Sequence, residues 1–224
     1  MAYRDERYDH VRLWLDANRG VVIAILCVFV GMLVFWAFVR SDKHKRQAAT
    51  RARIEQLGGK IGWDGDNHYY GAVLNGRTLG DTEVALLPVF DGFLFVDLDR
   101  SRVTDEGLRH LRGMRKLRRL SLVDTPVGDD GLAHLTDLPE LTDLDLSSTQ
   151  VTDAGAEHLI EMSQLRYLSL ARTRLTDAGL ARLQTIRSLH GLDVGGTQVT
   201  AGAIAALRRA LPELAINTTT KDAE

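Results

Sequence analysis

Residues 117–140 read LRRLSLVDTPVGDDGLAHLTDLPE, and residues 141–164 read LTDLDLSSTQVTDAGAEHLIEMSQ. Set one beneath the other, the two stretches of 24 residues agree column by column: Leu120 with Leu144, Leu122 with Leu146, Thr125 with Thr149, Asp129 with Asp153, Gly131 with Gly155. The interval continues both ways. Leu168-Ser169-Leu170 and Leu192-Asp193-Val194 follow and Val96-Asp97-Leu98 precedes, each displaced by 24. Threonine returns at Thr173 and Thr197, with Ser101 in the earlier place; glycine returns at Gly107 and Gly179, and aspartate at Asp105 and Asp177. The shared pattern is L-x-x-L-x-L-x-x-T-x-V-T-D-x-G-L-x-x-L. A fixed interval of this length marks stacked structural units, none of which buries its own apolar face alone.

Within a unit the L-x-L pair alternates as a short strand does and sends two leucines into one core. Successive strands then stack in parallel about 4.8 Å apart. The threonine falls just after the strand, where its hydroxyl is placed to bond backbone groups of its own or the neighbouring coil. Val-Thr-Asp leads into a helix with Thr or Asp as N-cap, and the glycine lets one coil pass close to the next. Leu108, Leu111 and Leu117 close the core from the helical side. The ends decay, as terminal units do. Ala72, Leu74, Leu79, Asp81, Val84 and Leu87 form a degenerate first unit. At the other end Ala203 stands in the glycine column, and the helix AIAALRRALPEL is read as carrying one extra residue before Ala215-Ile216.

Over residues 72–217 the pattern resembles the leucine-rich-repeat family. The resemblance implies an α/β fold class: a right-handed solenoid of about six repeats, a parallel strand ladder backed by helices. One departure is that threonine stands where the family usually has Asn or Cys. The T-D-x-G-L helix start resembles a subtype known from bacterial repeat proteins and from some ubiquitin-ligase adaptors. No F-box-like segment is seen before the repeats, so the adaptor role is not implied.

Ahead of the repeats, Gly20 to Val39 read GVVIAILCVFVGMLVFWAFV, twenty residues without a charge. As a helix they would span ~30 Å, the hydrocarbon thickness of a bilayer, and a single transmembrane helix over 20–39 is expected. Trp14, Trp36 and Phe38 suit the interfaces. A cleaved signal peptide fits less well, because its apolar region runs ~7–15 residues and ends on small residues, where this chain has Phe35, Trp36 and Phe38. Six Lys and Arg follow the span (Arg40 to Arg53) and four precede it (Arg4 to Arg19). The positive-inside rule therefore puts the repeats in the cytoplasm. The stretch 40–59 reads as a basic juxtamembrane helix ending at Gly58-Gly59. Its Arg40, Lys43, Lys45 and Arg46 are candidates for contact with anionic lipid headgroups. The expected organisation is thus an N-terminal flank (1–19), the span (20–39), the basic helix (40–59), an N-terminal cap segment (60–71), the repeat domain (72–217) and a disordered tail (218–224).

Composition narrows the function. The 224 residues carry a net charge of −2, split into +5 over residues 1–60 and −7 over residues 61–224. This argues against a nucleic-acid binder. A single cysteine, Cys27, excludes an intramolecular disulfide and a multi-Cys zinc site. There is no phosphate loop, G-x-S-x-G or H-E-x-x-H. His110, His134 and His158 recur at the repeat interval on a side read as solvent-exposed, without a carboxylate column to complete a metal shell. The aspartates lack the dense loop that calcium needs. No metal, cofactor or intrinsic catalysis is expected, and an open ladder is read as having no cleft to shift a carboxylate's pKa.

The strand face is where such repeats bind. Its outward positions include an acidic corner of Asp97, Asp99, Asp143 and Asp145, rimmed by Arg118, Arg119, Arg166 and Arg172, with Phe95 and Tyr167 read as the only large aromatics. The candidate partner-binding set is Phe95, Asp97, Asp99, Arg119, Ser121, Asp143, Asp145, Tyr167, Ser169, Arg172 and Asp193. A protein partner with basic groups and one apolar anchor would fit it. The expected role is a membrane-tethered protein-interaction module. The alternatives are a cell-surface adhesion or envelope-structure protein with the repeats outside, and a regulatory subunit docking on an enzyme.

Overall fold

The computed structural model describes residues 19–63, 69–76 and 78–219, with the side chains at 19–27, 33–34, 37, 63 and 69 set aside. The expected N-terminal flank, the middle of the cap segment and the end of the tail lie outside these residues. The chain divides into two compact units, Met1–Arg46 and Gln47–Glu224.

Helix α1 (Arg19–Gln56) runs for 38 residues. In the first unit, Val28, Phe29, Val30, Met32, Phe35, Trp36, Phe38 and Val39 are all exposed, from 48% to 70%. Among the described residues no helix is long and apolar enough to cross a membrane. Much of the stretch 20–39, which the sequence marks as a span, has its side chains outside the described set. In the second unit the last ten residues of α1 are not the free polar helix expected over 40–59. Ile54 is fully buried in the core, and Gln47 is buried and donates its Nε2–H to the Val89 carbonyl at 3.1 Å. The helix ends where Gly58 adopts φ +88° and the Gly59 N–H reaches back to Ile54 O at 3.0 Å, an αL termination that glycine permits.

The second unit is built on one eight-stranded sheet in sequential order. It opens with an antiparallel hairpin, β1 (Lys60–Trp63) and β2 (Tyr69–Val73). Every later strand is parallel to its neighbour: β3 (Phe95–Asp97), β4 (Arg119–Ser121), β5 (Asp143–Asp145), β6 (Tyr167–Ser169), β7 (Gly191–Asp193) and β8 (Ala215–Asn217). From Ala72↔Val96 to Leu192↔Ile216 each pairing joins residues 24 apart. The interval thus holds through the last strand, which corrects the expected extra residue in the terminal unit: the leucine moves by one place, to Leu214, while the strand register is unchanged.

Opposite the sheet lie short helices: α2 (Asp81–Val84), α3 (Asp105–Leu108), α4 (Asp129–Leu132), α5 (Gly155–Leu159), α6 (Asp177–Leu183) and α7 (Ala201–Ala210). Four residues are too few for a stable isolated helix, so packing holds these turns. Each unit adds one layer to a continuous core: in the layer after β3, Leu108, Leu111 and Leu117 from the helical side join Leu120 of β4 and Leu122 just after it, all fully buried. The degenerate first unit packs the same way, with Ala72, Leu74, Leu79, Val84 and Leu87 at most 1% exposed.

The threonine column takes the first of its two expected partners, its own coil, and the aspartate column does work that the sequence did not show. Thr125, Thr149, Thr173 and Thr197 donate their hydroxyls to Leu122, Leu146, Leu170 and Val194 carbonyls of their own coil, at 2.6–2.7 Å. They fasten each turn to its own strand. The links between coils come from the aspartates. Asp81, Asp129, Asp153 and Asp177 each accept the backbone N–H and the hydroxyl of a threonine 23 residues on: Thr104, Thr152, Thr176 and Thr200. Asp105 reaches Gly128, which offers only its N–H, at 2.7 Å. The glycine column makes room for this clamp: a Cβ on Gly155 would meet Asp129 Oδ1 at 2.5 Å, and Gly107, Gly131 and Gly179 stand equally close to Asp81, Asp105 and Asp153. Side-chain caps come from Thr176, accepting from Ala178 N–H, and Thr200, accepting from Ala203 N–H; the N-cap residues of α2 to α5, Gly80, Thr104, Gly128 and Ala154, make no such bond. Aspartate is not the cap.

Candidate functional site: the strand face

Three-residue strands with the central residue buried turn their first and third residues to one side. Two outward rows result. Phe95, Arg119, Asp143, Tyr167, Gly191 and Ala215 pair in succession along the first; Asp97, Ser121, Asp145, Ser169, Asp193 and Asn217 along the second. Ten of the eleven residues picked from the sequence lie in or beside these rows. Arg172 differs: it sits in the turn after β6 with φ +58°, exposed. Its column, Arg100, Asp124, Ser148 and Arg172, takes the left-handed conformation in every central repeat, with Gly76 and Gly196 at the ends. Arg172 is therefore a turn residue that sends its N–H to Gly195 O at 2.7 Å.

The second row alternates. Where it has aspartate, Oδ1 accepts the N–H two residues on: Asp99 N–H to Asp97 at 3.1 Å, Ser147 N–H to Asp145 at 2.9 Å, Gly195 N–H to Asp193 at 2.8 Å. These bonds hold each carboxylate in a fixed pose. At the sheet ends Asn75 and Asn217 donate to Oδ2 of Asp97 and Asp193. Where the row has serine, the side chain bonds sideways: Ser121 to Asp99 Oδ1 at 2.5 Å, and Ser169 with Ser147 at 2.7 Å. The acidic corner does perturb a carboxyl, contrary to the expectation for an open ladder. Burial pushes Asp99 up, against the hydrogen bonds of Ser121 and Val123, and the charges of Asp97 and Asp145 push it further.

A groove of about 650 Å³ lies over β4–β8. Arg119, Ser121, Asp143, Asp145, Tyr167, Ser169 and Asp193 line it; Phe95, Asp97 and Asp99 on the β3 side do not. Tyr167, 54% exposed, leans over Gly191, where any Cβ would strike its ring, and its ring lies 6.4 Å from that of His190. The Tyr167 ring thus takes the place a side chain at Gly191 would fill, and only a methyl stands beyond it at Ala215. The decay of the last repeat hid this from the sequence, because Ala215 and Ile216 carry no leucine signal. At the other end Phe95 covers Gly71 in the same manner, and Tyr70 stands 5.8 Å from it. Tyr70, 43% exposed, thus joins an aromatic set that the sequence confined to Phe95 and Tyr167.

Of the expected arginine rim, Arg118 pairs instead with Glu140 at 3.1 Å, and Arg119 faces Asp143 across 3.7 Å. The histidine column is half-buried rather than exposed, and His134 Nδ1 is enclosed without a hydrogen-bond partner among the described residues. No group of three or more His, Cys, Asp or Glu is placed to hold a metal among the described residues. On α1, Arg40, Lys43, Lys45 and Arg46 are all exposed; Arg40 stacks 5.2 Å over Trp36, and Arg46 pairs with Asp42 at 2.8 Å.

The comparisons agree with this architecture. A family profile described as Leucine Rich repeat matches residues 113–135 and 139–159. No curated protein matches the chain in sequence. Among solved structures, an internalin (inlF) of Listeria monocytogenes aligns with TM-score 0.54 and 19% identity over 69% of this chain. This chain spans 42% of that one's length. A second internalin of the same organism, inlC2, aligns with TM-score 0.49 and 18% identity over 67% of this chain and 73% of its own. With its leucine columns, its unbroken parallel ladder and the two stretches that match the family profile, the chain carries leucine-rich repeats.

Proposed function

We propose that the protein is a membrane-tethered interaction module that binds a partner protein on the strand face of its repeats, with no chemistry of its own. The observation that carries this reading is the open groove over β4–β8, with Tyr167 exposed on it, its ring over Gly191 and only the small Ala215 beyond. A large aromatic exposed in a groove is the usual anchor of a protein interface. The aspartates around it are fixed by hydrogen bonds and bear no nucleophile or base in the arrangement that group transfer needs. The tether rests on the twenty uncharged residues from Gly20 to Val39 and on the exposed apolar side chains from Val28 onward, an expanse that water does not favour. The excess of Lys and Arg after that stretch places the repeats on the cytoplasmic side in this reading.

A photo-crosslinking residue placed at Tyr167 of the full chain, in the cells that make it, tests the face. Capture of the same partner from position 167 and from 143, but not from Arg187 on the helical side, is the expected outcome. Capture from position 187 alone would move the binding surface to the helices. For the tether, the full chain should stay with membranes through alkaline carbonate. A cysteine replacing Thr219, in a Cys27→Ala background, should react with an impermeant thiol reagent only after lysis. Reaction on intact cells would favour the adhesion reading instead.

A further inference from the structure

The second outward row repeats at twice the strand interval. Its carboxylates stand on β3, β5 and β7 as Asp97, Asp145 and Asp193, and the shorter Ser121 and Ser169 stand between them. Adjacent parallel strands lie about 4.8 Å apart, so these carboxylates recur about every 9.6 Å along the ladder. A polyproline II helix has three residues per turn and rises about 3.1 Å per residue, so every third side chain returns to one face about every 9.3 Å. The two periods agree to within a few tenths of an ångström. A regular β-strand laid across the ladder would return its same-face side chains about every 6.6 Å and fall out of step.

The rest of the face fits the same occupant. The two rows hold four carboxylates (Asp97, Asp143, Asp145, Asp193) against Arg119 as their one basic residue, so a cationic segment is attracted. Each second-row aspartate has its Oδ1 held by a backbone N–H, which sets the pose before any ligand arrives. Tyr167 stands in the first row on β6, between the strands of Asp145 and Asp193, and is exposed in the groove with its ring over Gly191. Exposed aromatics that line a groove are what polyproline II segments dock on.

Building on the strand-face reading, we propose that the partner presents an extended polyproline II segment with Lys or Arg at every third residue. Its cationic side chains reach the carboxylates of alternate strands, and an intervening residue packs on Tyr167.

The test uses the full chain in nanodiscs of zwitterionic lipid and two fluorescent peptides, (Lys-Pro-Pro)4 and (Lys-Pro-Pro-Pro)4. Both carry four lysines and both are polyproline II helices, but only the first keeps its lysines on one face. The first should bind about fivefold to tenfold more tightly at low salt, as three exposed ion pairs in register would give. The preference should vanish in Asp145→Asn/Asp193→Asn. The single variant Asp193→Asn, whose amide oxygen still accepts the Gly195 N–H, should reduce it. Equal affinities for the two peptides, or a preference untouched by both variants, would overturn the proposal. If the strand-face crosslinks capture a partner whose bound segment lacks the basic triplets, this inference fails and the strand-face reading stands. If the peptides discriminate as expected but only position 187 crosslinks, the strand-face reading fails.

Discussion

Asp129 and Thr152 belong to successive repeats, and the carboxylate of one closes on the other at two points. Oδ1 accepts the Thr152 N–H at 2.8 Å and Oδ2 accepts its hydroxyl at 2.6 Å. The bond joins the start of one helix to the turn that leads into the next. Backbone bonds between the two coils run from the strands as far as Gln150 N–H to Val127 O, and the clamp continues them to the helix start.

Removing the clamp should show in stability, graded by how many bonds are lost. Asp129→Ala leaves an N–H and a hydroxyl without their acceptor and should cost about 2 kcal/mol. Asp105→Ala should cost less, about 1 kcal/mol, because Gly128 offers only an N–H. Urea midpoints followed by circular dichroism decide it. Equal losses for the two variants would mean that the hydroxyl bond contributes nothing.

The glycine that follows is coupled to the same carboxylate. In Gly155→Ala the new methyl meets Asp129 Oδ1 at 2.5 Å, and Leu132 and Val151 at 3.0 Å. The substitution should cost about 1–3 kcal/mol, as overpacking does. In an Asp129→Ala background the worst overlap is gone, so the double variant should be more stable than the sum of the single losses by at least about 0.5 kcal/mol. Additive losses in a double-mutant cycle would show that the glycine serves the apolar neighbours and not the clamp.

The solenoid was legible because a repeat writes each structural role several times. The leucines at 120, 144, 168 and 192 could only share one core, and the parallel register follows from their interval. What the interval does not say is who bonds to whom. Thr149 looked fit to bond its own coil or the next, and Asp129 to cap its own helix. The choice depends on where the helix start of one repeat meets the next, a three-dimensional fact that leaves its trace only as the conserved company of T-D with glycine two places on. The candidate face was legible for the same reason as the core, since outward positions follow from inward ones. Its groove was not, because it runs over Gly191 and Ala215, which offer little or no side chain to read. Gln47 and Ile54 were missed because a polar helix next to a long apolar stretch masks two buried positions among many solvated ones.

The turn column offers a stabilising change. Ser148 holds φ +59°, a conformation that costs a side-chain-bearing residue roughly 1 kcal/mol and glycine little. Ser148→Gly should therefore raise stability by up to about 0.5 kcal/mol, after the larger unfolded-state entropy of glycine is counted. Ser148→Val should lower it by about 1 kcal/mol or more, because a β-branched residue tolerates the left-handed region least. If valine were neutral there, the turn would not be held in this conformation in solution.

The two perturbed carboxyls predict opposite responses to acid. At Asp153, burial pushes the pKa up, but the hydroxyl and N–H of Thr176, the N–H of Gly179 and the charge of Arg182 outweigh it. The folded value therefore falls below the ordinary 3.8. A carboxyl depressed in the folded state contributes stability above its unfolded pKa and loses it as the pH falls through the folded one. Asp99 is raised, chiefly by burial and then by the charges of Asp97 and Asp145. Its ionised form is therefore disfavoured in the folded chain, and the cost is present above the folded pKa and disappears as the carboxyl protonates. Asp153→Asn should thus destabilise the protein at neutral pH, with a deficit that narrows in acid. Asp99→Asn, whose amide oxygen still accepts from Ser121 and Val123, should stabilise it at neutral pH, with an advantage that also narrows in acid. Denaturation midpoints of the two variants and the parent, from neutral pH down through the carboxylate range, provide the measurement. An Asp99→Asn variant less stable than the parent at neutral pH would mean that its charge is needed where it stands, as the hydrogen-bond acceptor that ties β4 to β3.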